Sequence, residues 1–457
     1  MTFVFFLSTA TTPQNFMVNI YLSTATLVMV IISTVGPIVQ LNQMKFRIHV
    51  SVDLTEFYWN ELAVHAGVVI GVVIGAIIAD NLGRKFALLL TPISVVSGII
   101  EYFSTSIGFN YVFLVILGIS VGITVVAVPL YISEIADDEI RGNLLVLQVV
   151  GIQVWQLLLF AIGHAINYKM VTQAITAIPL FFLLAFIWFP ETPYYLVSKK
   201  KYEDAAKSLA FFRGIDETRA MEQLEEVVVT IQEGGNQRGT SGKIPQLFQW
   251  RSVKGLLIVG TLILTQWQTH WYFQFHENNS YLIQSLFELP TRHLSNIISC
   301  TLQVIFYGIL CVSINAFGAK LCLVVATVGT LTMVVISWLL LEVSNLYVTA
   351  AGMFFTNICQ VIVVGITVGL VGALFSMNVK SGAIILLVIF KSILPILTFQ
   401  LFKLNVPILS TINVVSIIVN ALAFLITVLF VPNTKRKSLL EIQAQMAGKG
   451  RDIPRNI

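Results

Sequence analysis

Long apolar runs separated by short polar stretches dominate this chain of 457 residues. Windows of about 20 mostly apolar residues, the length of a helix that crosses a bilayer, recur along it. The first six predicted spans lie at 18–40, 58–79, 86–104, 110–133, 143–166 and 171–189. After a polar gap, six more lie at 253–275, 293–314, 319–341, 346–373, 380–402 and 408–431. The pattern therefore predicts an all-α, multi-pass membrane protein.

Composition supports a membrane-embedded fold and argues against several classes of function. Hydrophobic residues make up 56% of the chain and charged residues 11%, whereas soluble domains carry roughly 25% charged residues. The net charge of +4 is not gathered into one basic cluster, which argues against nucleic-acid binding. The cysteines show neither a disulfide framework nor a metal-ligand spacing, since all lie in apolar stretches: Cys300, Cys311, Cys322 and Cys359.

A polar segment divides the chain into two sets of predicted spans. We expect a six-helix bundle over 1–189, a cytoplasmic helical loop over 190–252, a second six-helix bundle over 253–431 and a cytoplasmic tail over 432–457. The loop has no phosphate-binding glycine motif, no nucleophile elbow and no zinc-ligand spacing. We therefore expect no enzyme activity, no cofactor and no metal site.

Lysine and arginine lie mostly on one side of the predicted spans. With both termini placed in the cytoplasm, 21 of the 27 fall in cytoplasmic segments, five fall in external loops, and Lys391 lies inside a span. This asymmetry is the positive-inside pattern, and it predicts an even number of spans with cytoplasmic ends. The glycosylation sequon at Asn278 falls in a predicted external loop, which agrees with this orientation.

Charged residues gather where predicted span 2 meets span 3. Asp80 lies at the end of span 2, Gly83 in the connection, and Arg84 and Lys85 at the start of span 3. A carboxylate and a basic pair at adjoining helix ends suit an ion-paired gate, and the glycine permits a tight turn. The alternative interpretation is a solvated loop that only follows the positive-inside pattern.

A second charged cluster is predicted at the same membrane face. Glu134 ends span 4 in the stretch Pro-Leu-Tyr-Ile-Ser-Glu, and Arg141 begins span 5. Opposite charges at adjacent helix ends can latch the two halves of the molecule together. Span 6 ends in Pro-Glu-Thr-Pro, which contains Glu191, and span 12 ends in Pro-Asn-Thr-Lys, which begins at Pro432.

These four stretches begin at Asp80, Pro129, Pro190 and Pro432. In this order and at these spans, they resemble the signatures of the sugar porter family of the major facilitator superfamily, especially insect trehalose and glucose facilitators. The resemblance covers nearly the whole chain. It implies twelve transmembrane helices in two six-helix bundles related by a pseudo-two-fold axis, with a solute site between them near the midplane. It also implies a plasma-membrane location and an inner gate, for which we expect Asp80, Gly83, Arg84, Lys85, Glu134, Arg141, Glu191, Lys320 and Lys380.

The second half of the chain departs from the family pattern. Of the expected acid and Gly-Arg-Arg signature after span 8, the stretch 315–320 keeps only Gly318 and Lys320. The segment 364–373 lacks the proline break, the tryptophan and the glutamate that the family carries in span 10. Because such a break lets the helix flex around the solute, its absence bears on whether a transport cycle is retained.

Glutamine side chains mark the predicted solute site. At about 100° per residue, Gln148, Gln153 and Gln156 of span 5 fall within a sector of about 140°. The resemblance adds Gln266 in span 7 and Gln303 in span 8 as solute ligands. Amides both donate and accept hydrogen bonds, so they suit the hydroxyl groups of an uncharged sugar.

Lys391 lies within predicted span 11, where the family has a sugar-contacting asparagine. A lysine at mid-span costs about 2.5–3.5 kcal/mol on insertion scales, and such residues usually face a cavity, pair with another group or mark a ligand. We interpret Lys391 as a cavity cation that binds an anionic solute. The alternative is that its ammonium bonds backbone carbonyls or reaches the membrane interface.

Two functions fit these patterns. The first is a facilitative uniport carrier of a sugar or a related small polar solute that works by alternating access. Uniport is favoured over proton symport because no carboxylate lies deep within a predicted span. The second is a non-transporting solute sensor or interaction protein that keeps the fold, which the altered signatures of the second half favour.

Overall fold

The computed structural model describes residues 54–103, 107–136, 138–163, 180, 183–184, 186–236, 247–275, 292–339, 346–403, 408–433 and 439–446. These residues form helices and connecting turns, with no β-strand among them. The helices of the first half are α1 (Leu54–Asn81), α2 (Arg84–Leu89), α3 (Ile93–Phe103), α4 (Ile107–Ile135) and α5 (Asp138–Gly163).

The polar segment and the second half are helical as well. The polar segment contains α6 (Pro193–Ser198), α7 (Tyr202–Arg213) and α8 (Glu217–Asn236). The helices that follow are α9 (Trp250–Phe275), α10 (Arg292–Phe317), α11 (Ala319–Leu339), α12 (Leu346–Leu374), α13 (Met377–Lys403), α14 (Ile408–Phe430) and α15 (Leu439–Met446).

Hydrophobic patterning predicted these long helices to within a few residues at most ends. Among the described residues, six helical segments are long and apolar enough to cross a membrane, and α5, α12 and α14 contain shorter apolar stretches. Predicted span 1 (18–40), residues 171–179 of predicted span 6 and the Asn278 sequon lie outside the described residues.

Predicted span 3 is not one continuous helix, because it breaks at Pro92 between α2 and α3. Proline has no N–H group and cannot continue the helical ladder. Tighter bonds close the gap, such as the one from the Ile93 N–H to the Leu90 carbonyl at 3.1 Å. The Thr91 carbonyl at the break also accepts the hydroxyl of Ser120 in α4 at 2.6 Å. The break therefore fixes this span against α4.

Helices α1 and α4 cross with their backbones in contact. Glycine recurs at 67, 71 and 75 of α1 and meets Gly118 and Gly122 of α4. A Cβ atom added to Gly71 would lie 2.2 Å from the carbonyl oxygen of Ile119. Spacing of small residues by four places them on one helix face and lets two helices in a membrane approach closely.

Among the described residues, buried apolar side chains form two large clusters that follow the two halves of the chain and a smaller third cluster within α6, α7 and α8. Helices α1 to α5 supply most of the first cluster, and α9 to α14 supply most of the second. Helix α5 belongs to both, because Leu144 and Leu145 join the first cluster while Val146 and Val149 join the second. Ile384 of α13 packs in the first cluster. Helices α5 and α13 therefore connect the halves.

We expect Gly71→Ala to destabilise the protein, because its methyl group meets a backbone carbonyl that cannot move aside. Overpacking of this kind costs about 1–3 kcal/mol, so the midpoint of thermal unfolding in detergent should fall. Gly308→Ala is the matched control, since nothing lies within 4 Å of its added Cβ. Equal midpoints for the two variants would show that the α1–α4 contact is not tight.

Candidate functional site

Arg84, the first residue of α2, is the centre of a buried polar network. Its Nε and Nη2 atoms each lie 3.0 Å from Oε1 of Glu134, near the end of α4. Its Nη1 atom donates to the Ala79 carbonyl at 2.9 Å and lies 4.0 Å from Asp80. The Glu134 side chain is 0% exposed. The guanidinium therefore supplies the compensating charge that a buried carboxylate requires.

The second oxygen of Glu134 binds the segment that precedes α6. The Thr192 hydroxyl donates to Glu134 Oε2 at 2.6 Å. One turn earlier on α4, the Tyr131 hydroxyl donates to the Pro190 carbonyl at 2.7 Å. Thr192 is also the N-cap of α6 and accepts the Tyr195 N–H. The Pro-Glu-Thr-Pro stretch is therefore bonded to the end of α4.

Glu191 caps the N-terminus of α2. Its Oε1 accepts the Arg84 N–H at 3.1 Å, and the Lys85 N–H contacts both carboxylate oxygens. Position 83 has to be glycine, because its φ is 116° and an added Cβ would lie 2.1 Å from Glu191 Oε2. Burial raises the pKa of Glu191, and the backbone bonds from Thr192 and Lys85 oppose that rise.

Three more contacts cover this network. The Tyr195 hydroxyl donates to the Asn81 carbonyl at 2.8 Å, where α1 ends. The guanidinium of Arg84 lies 5.3 Å from the centre of the Tyr195 ring, a cation–π distance. The Lys85 ammonium donates to the Ile187 carbonyl at 2.8 Å. The basic pair is therefore bound to the protein, so the solvated-loop interpretation of this motif is wrong.

Two hydrogen bonds join the first half to α13 at the Arg84 end of the molecule. The Ser381 hydroxyl donates to Asp80 Oδ1 at 2.8 Å. The Lys380 ammonium donates to the Ser133 hydroxyl at 3.1 Å, and Lys380 is 1% exposed. The halves are therefore in contact at this end.

Charge pairing at this end differs from the sequence-based expectation. Glu134 was expected to help latch the halves together with Arg141, whereas it pairs with Arg84, a residue of its own half. Arg141 lies on α5, and its side chain is outside the described residues. Lys320 lies apart from the network, since its ammonium donates to the Val428 carbonyl of α14 at 3.0 Å.

Predicted solute ligands lie in two groups. The Gln153 amide donates to Gln156 Oε1 at 3.1 Å and also to Oε1 of Gln303 on α10. This group bridges α5 and α10, one helix from each half. Gln266 is separate, because its amide donates to the Thr367 hydroxyl of α12 at 2.9 Å. Gln148 lies on α5, and its side chain is outside the described residues.

Close in sequence to the Gln266 contact, α9 and α12 carry two buried polar atoms without a hydrogen-bond partner among the described residues. They are the indole Nε1 of Trp267 and the amide oxygen of Gln360. Buried polar atoms are nearly always hydrogen-bonded, so each exception points to a missing partner. One is a donor and the other an acceptor, and a polyhydroxylated solute can satisfy both.

Lys391 lies at the middle of α13, on the side that faces the first half. At about 100° per residue it falls within roughly 20° of Lys380 and Ile384, which contact the first half. The exposed apolar residues of the helix, such as Leu386 and Ile393, lie roughly 140–160° away. Lys391 is itself exposed although it sits deep among protein atoms. Its side chain therefore faces an internal space and not lipid.

Sequence reasoning missed several residues of the network. Ser133 and Ser381 carry the contacts between the halves, but a serine in an apolar helix gives no signal in a single sequence. Thr192 and Tyr195 lie in or beside the Pro-Glu-Thr-Pro stretch, whose position did indicate them.

Glu101 lies outside this network. It is 2% exposed and lies near the C-terminal end of α3, whereas Arg84 lies at the other end of the same predicted span. It is a buried carboxylate, although it does not lie deep in its span.

Helical segments of this length and hydropathy are typical of a multi-pass membrane protein. The family model for sugar (and other) transporters matches residues 16–446. The chain belongs to this family of integral membrane proteins.

Individual relatives agree with this assignment. The facilitated trehalose transporter Tret1 of Bombyx mori is 27% identical over 432 residues, which are 90% of this chain and 83% of that protein. Tret1 of Apis mellifera ligustica is 24% identical and covers 83% of this chain and 77% of its own length. The solved structure of the proton:xylose symporter XylE bound to 6-bromo-6-deoxy-D-glucose has a TM-score of 0.77 at 18% identity, covering 93% of this chain and 99% of that one. The fold is the major facilitator fold, an all-α membrane fold of two six-helix bundles.

We expect Arg84→Met to destabilise the protein strongly, because it leaves Glu134 charged and buried without a partner. Removing one member of a buried ion pair costs about 3–5 kcal/mol. The double variant Arg84→Met, Glu134→Gln should recover part of this loss, as measured by thermal unfolding in detergent.

The control is Lys207→Met, which removes an exposed lysine of α7 and should leave the midpoint unchanged. If Arg84→Met were no more damaging than this control, the Arg84–Glu134 pair would not hold the network together.

Proposed function

We propose that the protein is a facilitative carrier that moves a sugar or a related small polar solute across the membrane by alternating access. The observation that carries the proposal is the pair of hydrogen bonds between the halves, Ser381 to Asp80 and Lys380 to Ser133. They close one end of the molecule, and they can open without disrupting either half. Carriers of this kind rock one bundle against the other around a central site.

The Arg84 network would hold the moving parts of this gate. Asp80, Gly83, Arg84, Lys85, Glu134 and Glu191 belong to the first half and would move together, because hydrogen bonds and two ion pairs join members of this group. Lys380 would be the partner from the second half. Arg141 and Lys320 remain predicted gate residues, although Lys320 contacts only its own half in this conformation.

The amides would bind the hydroxyl groups of the solute. Gln153, Gln156 and Gln303 lie at the contact between α5 and α10, where the two halves meet. Gln148 and Gln266 remain predicted ligands, and the donor on Trp267 and the acceptor on Gln360 are further groups that a solute would satisfy. The names of the relatives, which include transporters of trehalose and xylose, support a sugar-like solute.

The orientation of the protein in the membrane and its mode of transport complete the proposal. The lysine and arginine distribution supports a cytoplasmic position for the Arg84 end and both termini, and we propose the plasma membrane as the location. Glu61 and Glu101 are the carboxylates within the predicted spans, and both lie near span ends. A proton-coupled carrier uses a titratable group along the solute path, so this arrangement supports uniport.

A second candidate function is a non-transporting solute sensor or interaction protein. Helix α12 runs without a proline from Leu346 to Leu374, so it lacks the family's flexible break. Without that break, solute binding would not lead to opening.

Solute flux distinguishes these functions. We expect purified protein in liposomes to take up labelled trehalose or glucose with saturation and to exchange it in counterflow. The initial rate should not change when a proton gradient is imposed, and Glu101→Gln should behave as wild type in this respect. Binding without flux would establish the sensor, and uptake driven by a proton gradient and abolished by Glu101→Gln would establish symport.

We expect Ser381→Ala to favour opening at the Arg84 end, because it removes one bond between the halves. The reporter is Leu145→Cys, since Leu145 is 1% exposed and packs close to Gly372 of the second half. In Ser381→Ala, an impermeant maleimide should label this cysteine several-fold faster from the Arg84 side.

The control is Ser313→Ala, whose hydroxyl bonds only within its own helix, to the Ile309 carbonyl. Equal labelling rates in the two serine variants would remove Ser381 from the proposed gate.

A further inference from the structure

We infer that the transported solute carries a single negative charge, a carboxylate on a sugar-like skeleton, and that Lys391 binds it. This inference rests on the proposed carrier function and narrows its substrate class. The observation behind it is a lysine at the middle of a membrane helix that faces an internal space.

Lys391 has no counter-charge within the described residues. It forms no hydrogen bond and no ion pair with any of them. The residues outside the description contain six acidic residues. Their acidic residues all fall in predicted loops or tails: Asp53, Asp137, Glu277, Glu288, Glu342 and Asp452.

The two carboxylates within predicted spans are also poorly placed to pair with Lys391. Helices α1 and α13 run antiparallel from the Asp80–Ser381 contact. At 1.5 Å per residue, Glu61 lies about 13 Å further along this pair than Lys391 does. Glu61 also contacts His65 at 3.4 Å. Glu101 lies two residues before the end of α3, far from mid-span. None of the described carboxylates therefore forms an ion pair with Lys391.

The position of Lys391 makes this charge available to a solute and not to lipid. It lies on the face of α13 that contacts the first half, with its side chain exposed. Lys380, three turns away on the same face, is instead enclosed and bound to Ser133. Lys380 at the helix end is therefore bound to the first half, whereas Lys391 at mid-span is exposed.

Chemistry then selects the class of ligand. A lysine ammonium is a compact point charge with three donors and suits one anionic group. The amides Gln153, Gln156 and Gln303 suit neutral hydroxyl groups. Together these groups fit a sugar acid better than a neutral sugar, which would leave the ammonium desolvated and unpaired.

The test compares labelled D-glucuronate with labelled D-glucose in liposomes that contain the wild-type carrier or Lys391→Gln. We expect saturable glucuronate uptake in the wild type, a loss of at least tenfold in Lys391→Gln, and glucose and glucuronate uptake at the wild-type rate in Lys207→Gln. Lys391→Arg should keep most of the glucuronate uptake, because it keeps the charge. Lys207→Gln, which removes an exposed lysine of α7, is the matched control.

Membrane potential gives a second readout that needs no variant. With glucuronate bound, the Lys391 ammonium and the solute carboxylate would form a neutral pair. Without solute, the ammonium would be uncompensated, so the return of the carrier without solute would move charge across the membrane. Glucuronate uptake by the wild type should then change severalfold with an imposed potential. Uptake that does not respond would overturn the inference, even if Lys391→Gln fails to fold.

Thermal unfolding in detergent separates failure of the inference from failure of the proposed function. Glucose uptake without glucuronate uptake, unaltered in Lys391→Gln, overturns the inference and leaves the carrier intact. Stabilisation of the wild type by glucuronate, absent in Lys391→Gln and without flux, supports the anion site and overturns the carrier. If neither solute is transported and neither stabilises the protein, both the inference and the carrier function are overturned.

Discussion

The buried charge of Arg84 is the constraint on which the rest of the first half depends. A guanidinium removed from water needs anions and carbonyls around it, and Glu134, Asp80 and Ala79 supply them. Satisfying Glu134 in turn requires the hydroxyl of Thr192. Thr192 sits next to Glu191, and Glu191 caps the helix that Arg84 begins. The network is closed on itself, so the ends of α1, α2 and α4 and the segment before α6 form one rigid unit.

The second half contains no equivalent network among the described residues. Lys320, at the matching position of the family pattern, bonds a backbone carbonyl of α14 and no carboxylate. What α13 contributes is different in kind, because Ser381 and Lys380 reach across to the first half. The loss of charged signatures in the second half therefore leaves the contact between the halves intact. Among the described residues, these two contacts between the halves join a charged group to a hydroxyl: Asp80 with Ser381 and Lys380 with Ser133.

The sequence allowed the fold to be predicted almost completely, but it allowed only part of the site. Long apolar runs determine where helices lie in a membrane, so α1, α4, α10 and α13 were expected. The break at Pro92 was missed because a hydropathy pattern contains no information about backbone hydrogen bonds. For the proposed gate, their charge indicated Arg84 and Glu134. Their positions in the sequence predict the membrane face on which they lie, but not which residue each one pairs with. Ser133 and Ser381 gave no signal, since a serine can satisfy itself within its own helix.

The chemistry of the closing contacts suits the proposed cycle. Breaking a buried ion pair costs about 3–5 kcal/mol because it leaves a bare charge. A hydrogen bond between a charged group and a hydroxyl contributes about 1.5–3 kcal/mol. When the Arg84 end opens, Asp80 and Lys380 meet water and recover hydration, while Ser381 and Ser133 are left neutral. The Arg84–Glu134 pair stays within one half and need not break. The proposed uniport carrier would have to populate both of its end states, and an ion pair that lies within one half would not oppose this.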